Sequence, residues 1–143
     1  MTRLKTLIVL IALLAAACGG ADATAPTPPT SVGVFTVTDL VIGIGPVANT
    51  GNRVTVTEMG WLYDTSKPLG KGTNFDSGNS LTFVVGDGTV VAGFSQGIVG
   101  MRVGGQRRLI IPPELGYAAS PPSGSNIPVN ATLVFDITLT SAV

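Results

Sequence analysis

Glycine and proline punctuate this 143-residue chain so densely that a helix has almost nowhere to form. The 19 glycines and 10 prolines leave one stretch, Val91 to Met101, with an apolar stripe at helical spacing. There Val91, Phe94, Ile98 and Met101 fall three, four and three apart, the repeat that lines one face of an α-helix. Gly93, Gly97 and Gly100 interrupt it, each costing a helix about 1 kcal/mol relative to alanine. The remainder reads as strand. Phe35-Thr36-Val37-Thr38 alternates apolar with polar, as a half-buried strand does. Arg53 to Tyr63 predicts a longer strand after a Gly/Asn turn at Asn49 to Asn52; Leu81 to Val85 and Arg107 to Ile111 predict shorter ones. In the last strand Leu133, Phe135, Ile137 and Leu139 share one face, and Thr132, Val134, Asp136, Thr138 and Thr140 the other. Strands, Gly-rich turns and one short helix predict a single antiparallel α+β domain over residues 32–143.

The chain begins differently. Arg3 and Lys5 precede an unbroken apolar run from Leu7 to Ala17, the layout of a signal peptide over residues 1–17. Those 11 residues are too few to span a bilayer, which takes about 20. The run ends in Leu14-Ala15-Ala16-Ala17-Cys18, similar to the bacterial lipobox, in which the cysteine is lipidated and becomes the mature N-terminus. Cys18 is the only cysteine, so an internal disulfide is excluded. Cleavage before it removes 17 of 143 residues and leaves 126, with six basic against eight acidic side chains. Residues 18–31, with Pro26, Pro28 and Pro29, then read as a spacer from a membrane surface. Gly19 is not the aspartate of an inner-membrane retention signal, which favours the outer membrane or cell surface. The reading is of an exported, lipid-anchored bacterial protein; the alternative is an ordinary secretory signal with an incidental cysteine.

The composition excludes several chemistries. With zero formal net charge and no basic cluster beyond Arg107-Arg108, no nucleic-acid partner is expected. That pair reads as a solvated strand face with an ion pair. No histidine is present, so Ser-His-Asp and Cys-His nucleophile pairs and histidine-ligated metals are ruled out. Gly93-Phe94-Ser95-Gln96-Gly97 matches the G-x-S-x-G elbow of hydrolases, but nothing could activate Ser95 in the usual way. Gly43-Ile44-Gly45-Pro46-Val47-Ala48 matches a dinucleotide fingerprint without a βαβ context and reads as a turn. No metal or cofactor is expected.

Four ordered segments carry a resemblance. They are Val54-Thr55-Val56 through Gly60-Trp61-Leu62-Tyr63-Asp64; Phe75-Asp76-Ser77; Gly93-Phe94 through Gly97-Ile98-Val99-Gly100-Met101-Arg102-Val103-Gly104-Gly105 with Arg107-Arg108-Leu109-Ile110-Ile111-Pro112-Pro113-Glu114-Leu115-Gly116-Tyr117; and Ile127-Pro128 with Ala131-Thr132-Leu133-Val134-Phe135-Asp136. In this order and spacing, over about residues 33 to 140, the chain resembles the FKBP-type peptidyl-prolyl isomerases. The resemblance implies an antiparallel sheet of about five strands curled round one short helix. It also implies isomerisation of Xaa-Pro bonds in exported proteins, proline-containing polypeptides as partners, macrolides as inhibitors, and a monomer.

By matching position, the resemblance implies a pocket of Phe75, Asp76, Leu81, Val90, Val91, Phe94, Tyr117, Ile127 and Phe135. Phe94 would be the floor under the proline ring, where the family often has tryptophan, with Phe75 and Phe135 as walls. Tyr117 would donate its hydroxyl to a substrate carbonyl and the Ile127 N–H would hold another; Asp76 would face the twisting amide. Asp76-Ser77-Gly78 on its own also reads as a turn. One position departs from the family: Glu58 stands where a tyrosine usually bonds the carboxylate that Asp76 matches. Period-2 counting puts Glu58 on the face of Val54 and Val56, looking inward, where it would share a proton with Asp76. The alternative is a Glu58 that tilts to solvent at the rim. Leu81 in place of the common aromatic, and the Pro121 to Asn126 loop, bear on substrate preference and macrolide affinity. Three functions stand open: an isomerase, a pocket that grips proline segments without turning them over, and a purely structural or adhesive lipoprotein. Glu58 and Phe94 lean to the second, while intact Phe75, Asp76, Tyr117 and Phe135 favour the isomerase.

Overall fold

A computed structural model describes residues 33–143; the expected signal peptide, Cys18 and the spacer lie outside the described residues. Five strands, β1 (Thr36–Val41), β2 (Arg53–Tyr63), β3 (Lys71–Val84), β4 (Gln106–Ile111) and β5 (Leu133–Ala142), form one antiparallel sheet ordered β1-β4-β5-β2-β3. One helix, α1 (Ala92–Ile98), lies against its inner face. Val54 and Val56 of β2, Leu109 and Ile111 of β4, and Leu133, Ile137 and Leu139 of β5 point inward and are fully or almost fully buried against Phe94, Ile98 and Met101. Among the described residues no helix is long and apolar enough to cross a membrane.

The α+β expectation holds, with four local differences. The helix stops at Ile98 instead of running to Met101, because Gly100 takes a left-handed φ of 86° and turns the chain, while Met101 still packs inward. Gly93 and Gly97 permit the fold. A Cβ on Gly97 would lie 2.4 Å from both Leu109 methyls, and one on Gly93 would lie 2.6 Å from Ile111. The helix backbone therefore rests directly on β4.

Strand β1 is not half-buried. All six residues are exposed, because it is an edge strand paired only with β4 and α1 does not cover it; Phe35, just before it, packs against the core. Arg107, expected on a solvated face, is instead buried on the inner face beside Leu109. Its Nε donates to Asp39 at 2.6 Å and its Nη1 donates to the Gly97 and Val99 carbonyls, satisfying the end of α1 with positive charge. Arg108 does lie on the outer face, with a bidentate bond to Asp136, which also accepts from Lys71.

Strand β3 begins ten residues before the expected Leu81, and two irregularities in it place the functional residues. Glu58 pairs with Asn79 but Met59 pairs with Ser77, so Gly78 (φ 82°) is an extra residue, a β-bulge. A second shift between Gly60–Asp76 and Trp61–Asn74 leaves Phe75 extra. Side chains alternate strictly along a strand, so the first bulge reverses the facing of the residues between it and the second. It turns Asp76 to the inner face, opposite Gly60. The Asn74 amide donates to the Gly60 and Asp76 carbonyls at 2.9 and 2.8 Å, taking up acceptors that the broken ladder leaves over.

Candidate active site

Where the bulged part of β3 meets α1, the sheet leaves a cavity of about 340 Å³. All ten pocket residues named from the sequence line it: Glu58, Phe75, Asp76, Leu81, Val90, Val91, Phe94, Tyr117, Ile127 and Phe135. Thr89, Pro122 and Ser125 complete the wall. Pro122 and Ser125 belong to the proline-serine loop already linked to substrate preference, where both the Ser125 Oγ and its N–H donate to the Pro122 carbonyl. Thr89 gives no signal in the sequence; it follows a glycine turn and belongs to no periodic segment.

Three phenylalanines form one aromatic set. Phe94 and Phe135 meet edge to face with centroids 5.1 Å apart, and Phe75 and Phe135 do the same at 5.5 Å. Such contacts contribute about 0.5–1.5 kcal/mol each beyond area burial. Gly60 makes room for them, since a Cβ there would sit 2.6 Å from the Phe75 ring. Phe94 is 2% exposed and Phe135 5%, so these rings present edges and faces to the cavity from a fixed core.

The polar groups are few. The Asp76 carboxylate accepts from the Asn79 amide at 2.5 Å. Glu58 is 8% exposed, inward as the alternation of β2 requires and not tilted to solvent. Burial first, then the negative charge of Asp76 and a hydrogen bond to it, push the Glu58 carboxyl up to about 7. Burial, followed by the charges of Glu58 and Asp76, raises the Tyr117 phenol above its ordinary value. Its hydroxyl makes no hydrogen bond to another described residue, and neither does the backbone N–H of Ile127, itself 8% exposed. Ala118, next to Tyr117, holds a left-handed φ of 48°, and its carbonyl accepts from Asn130 at 2.6 Å, which fixes the loop beneath the phenol.

The cavity is thus an apolar, aromatic hollow whose lining residues include two carboxyls and two donors bonded to no other described residue, suited to holding a neutral amide.

The chain is similar to known proteins throughout this region. The family model of the FKBP-type peptidyl-prolyl cis-trans isomerases matches residues 45–140. The FK506-binding protein of Neisseria meningitidis serogroup A is 39% identical over 112 residues, covering 76% of this chain and 95% of that protein. Among solved structures, AtFKBP13 superposes with a TM-score of 0.62 at 32% identity, covering 76% of this chain and 93% of that one. A peptidyl-prolyl cis-trans isomerase from Pseudomonas syringae pv. tomato superposes at 0.61 with 29% identity, covering 76% and 74%. Sheet order, helix, cavity and these likenesses lead to one assignment: the chain belongs to the FKBP-type family and is a peptidyl-prolyl cis-trans isomerase.

Proposed function

We propose that this isomerase works outside the cytoplasm, tethered to a bacterial membrane by a lipid on Cys18, on the Xaa-Pro bonds of exported proteins, with the cavity as its catalytic site. The signal-like residues 1–17, the lone cysteine that ends them and the proline-rich stretch after it support the address. The convergence of Phe75, Phe94, Tyr117 and Phe135 with Asp76 on one hollow supports the site and carries the proposal.

Rotation about a prolyl amide breaks resonance against a barrier of about 20 kcal/mol. The twisted amide has less charge separation than the planar one, so a water-poor aromatic hollow favours it, and each 1.36 kcal/mol so gained is about tenfold in rate. Phe94 supports the proline ring, with Phe75 and Phe135 beside it. The Ile127 N–H and the Tyr117 hydroxyl each donate to a substrate carbonyl and hold the flanking chain while the bond turns. Asp76 faces the amide, and Leu81, Val90 and Val91 close the apolar wall. No proton is transferred, which suits a chain without histidine. The domain acts as a monomer and binds macrolides in the same hollow.

Two measurements test this. The purified chain should accelerate isomerisation of an Xaa-Pro peptide, with a macrolide competing. In a bacterial host the wild type should partition into detergent with membranes and Cys18→Ser should not. A rate equal to buffer would refute the site, and identical partitioning of the two would refute the anchor.

A further inference from the structure

The charge in the cavity is all of one sign. Glu58 and Asp76 are the carboxyls in its wall, and no lysine or arginine lines it. Glu58 faces Asn79 across on β3 and Ile137 across on β5, with Asp76 beside it and the neutral phenol of Tyr117 from the β4–β5 loop. Its inward neighbours on β2 are Val56 and Gly60. Arg107, in register with Glu58 through Ile137 and also on the inner face, does not line the cavity and gives its guanidinium to Asp39 and the Gly97 and Val99 carbonyls. Lys71 and Arg108 are held on the outer face by Asp136. Two carboxyls brought together by a bulge, in the hollow that takes the substrate, thus lack a cation from their own chain.

We propose that Glu58 and Asp76 make this isomerase selective for prolines flanked by a lysine or arginine, the carboxyl pair receiving the substrate's cation. The inference rests on the cavity being the proline site. Folding has already taken Glu58 out of water, so an incoming ammonium or guanidinium meets an acceptor that needs little further desolvation. Attraction between unit charges is about four times stronger at the effective dielectric of a protein surface than in water. The pair gains its second negative charge only as pH rises through about 7, where the Glu58 proton leaves. Preference for cationic substrates therefore grows with pH over a range in which a lysine side chain keeps its charge.

The experiment compares kcat/KM of the purified chain for matched peptides with leucine before proline, lysine before proline, and lysine after it, at pH 6 and pH 8. At pH 8 one lysine peptide should exceed the leucine peptide by about tenfold, equivalent to about 1.4 kcal/mol. At pH 6 the ratio should be several-fold smaller. Glu58→Gln should lose most of the pH dependence of the ratio, which a purely structural Glu58 would leave in place. A ratio of one or less for both lysine peptides at pH 8, or an equal pH dependence in Glu58→Gln, overturns the inference. If Glu58→Gln does not fold, the wild-type ratio decides: one that does not rise with pH overturns it. Failure to turn over the leucine peptide would instead overturn the reading of the cavity itself.

Discussion

Replacing Glu58 with glutamine should flatten the pH dependence of folding stability between about pH 4.5 and 7. The folded carboxyl titrates at about 7 against an ordinary 4.5, so in that window the folded state binds the proton and the unfolded chain does not. Stability falls with rising pH wherever the folded state holds more protons. The contribution of Glu58 is therefore fully present below about 4.5 and gone above about 7. Two and a half pH units at about 1.36 kcal/mol each come to about 3 kcal/mol. That is a large share of the roughly 5–15 kcal/mol that holds a domain together, and it corresponds to a Tm change on the order of 10 °C. Glutamine keeps the shape, can still donate to Asp76, and has no proton to lose. Urea unfolding followed by fluorescence of Trp61, the only tryptophan, at pH 5, 6, 7 and 8 would measure it. Wild type should weaken steadily relative to Glu58→Gln and be the less stable of the two at pH 8. Asp136 does not confuse the result. Burial pushes its carboxyl up, but hydrogen bonds and charges from Arg108 and Lys71 outweigh this and hold it below the usual range, so its loss belongs to more acidic solution. Parallel stability curves for the two proteins would refute the account of a desolvated, shared proton.

Tyr117→Phe removes a hydroxyl with no partner among the described residues, so stability should change by less than about 0.5 kcal/mol while kcat/KM falls up to about tenfold. Urea unfolding and peptide kinetics check this together; an unchanged rate would remove Tyr117 from the substrate's hydrogen bonds. Gly97→Ala offers α1 about 1 kcal/mol of helix propensity but drives a Cβ to 2.4 Å from Leu109, so a net loss of about 1–2 kcal/mol is expected. A more stable Gly97→Ala protein, by thermal melting, would show that the helix can lift off β4 at no cost.

How much of this was legible in the sequence depended on regularity. The inner face of β5 and the inward turn of Glu58 follow from unbroken alternation, and both strands are regular where those residues stand. The early part of β3 was hidden because Lys71 to Ser80 is polar and glycine-bearing and changes facing at its bulges, which erases any period of two. For the same reason the alternation of β3 could not aim Asp76 inward; only the family resemblance selected it. The turn reading of Asp76-Ser77-Gly78 caught the left-handed glycine but not the strand around it. Arg107 misled because charge normally marks a wet face, whereas here the open carbonyls at the end of α1 and the Asp39 carboxylate receive it. The short helix was readable from its stripe, and its end from Gly100 only once the backbone angle is known.

The extra glycine in β3 makes the active site depend on parity. Deleting Gly78 would leave regular pairing with Asp76 still opposite Gly60, whereas a residue there that cannot hold the left-handed φ favours regular pairing at constant length, which sets Ser77 inward instead of Asp76. A lineage carrying this insertion can therefore drop the extra residue and keep its carboxylate in place, but cannot freely replace the glycine, so letter here is held more tightly than length.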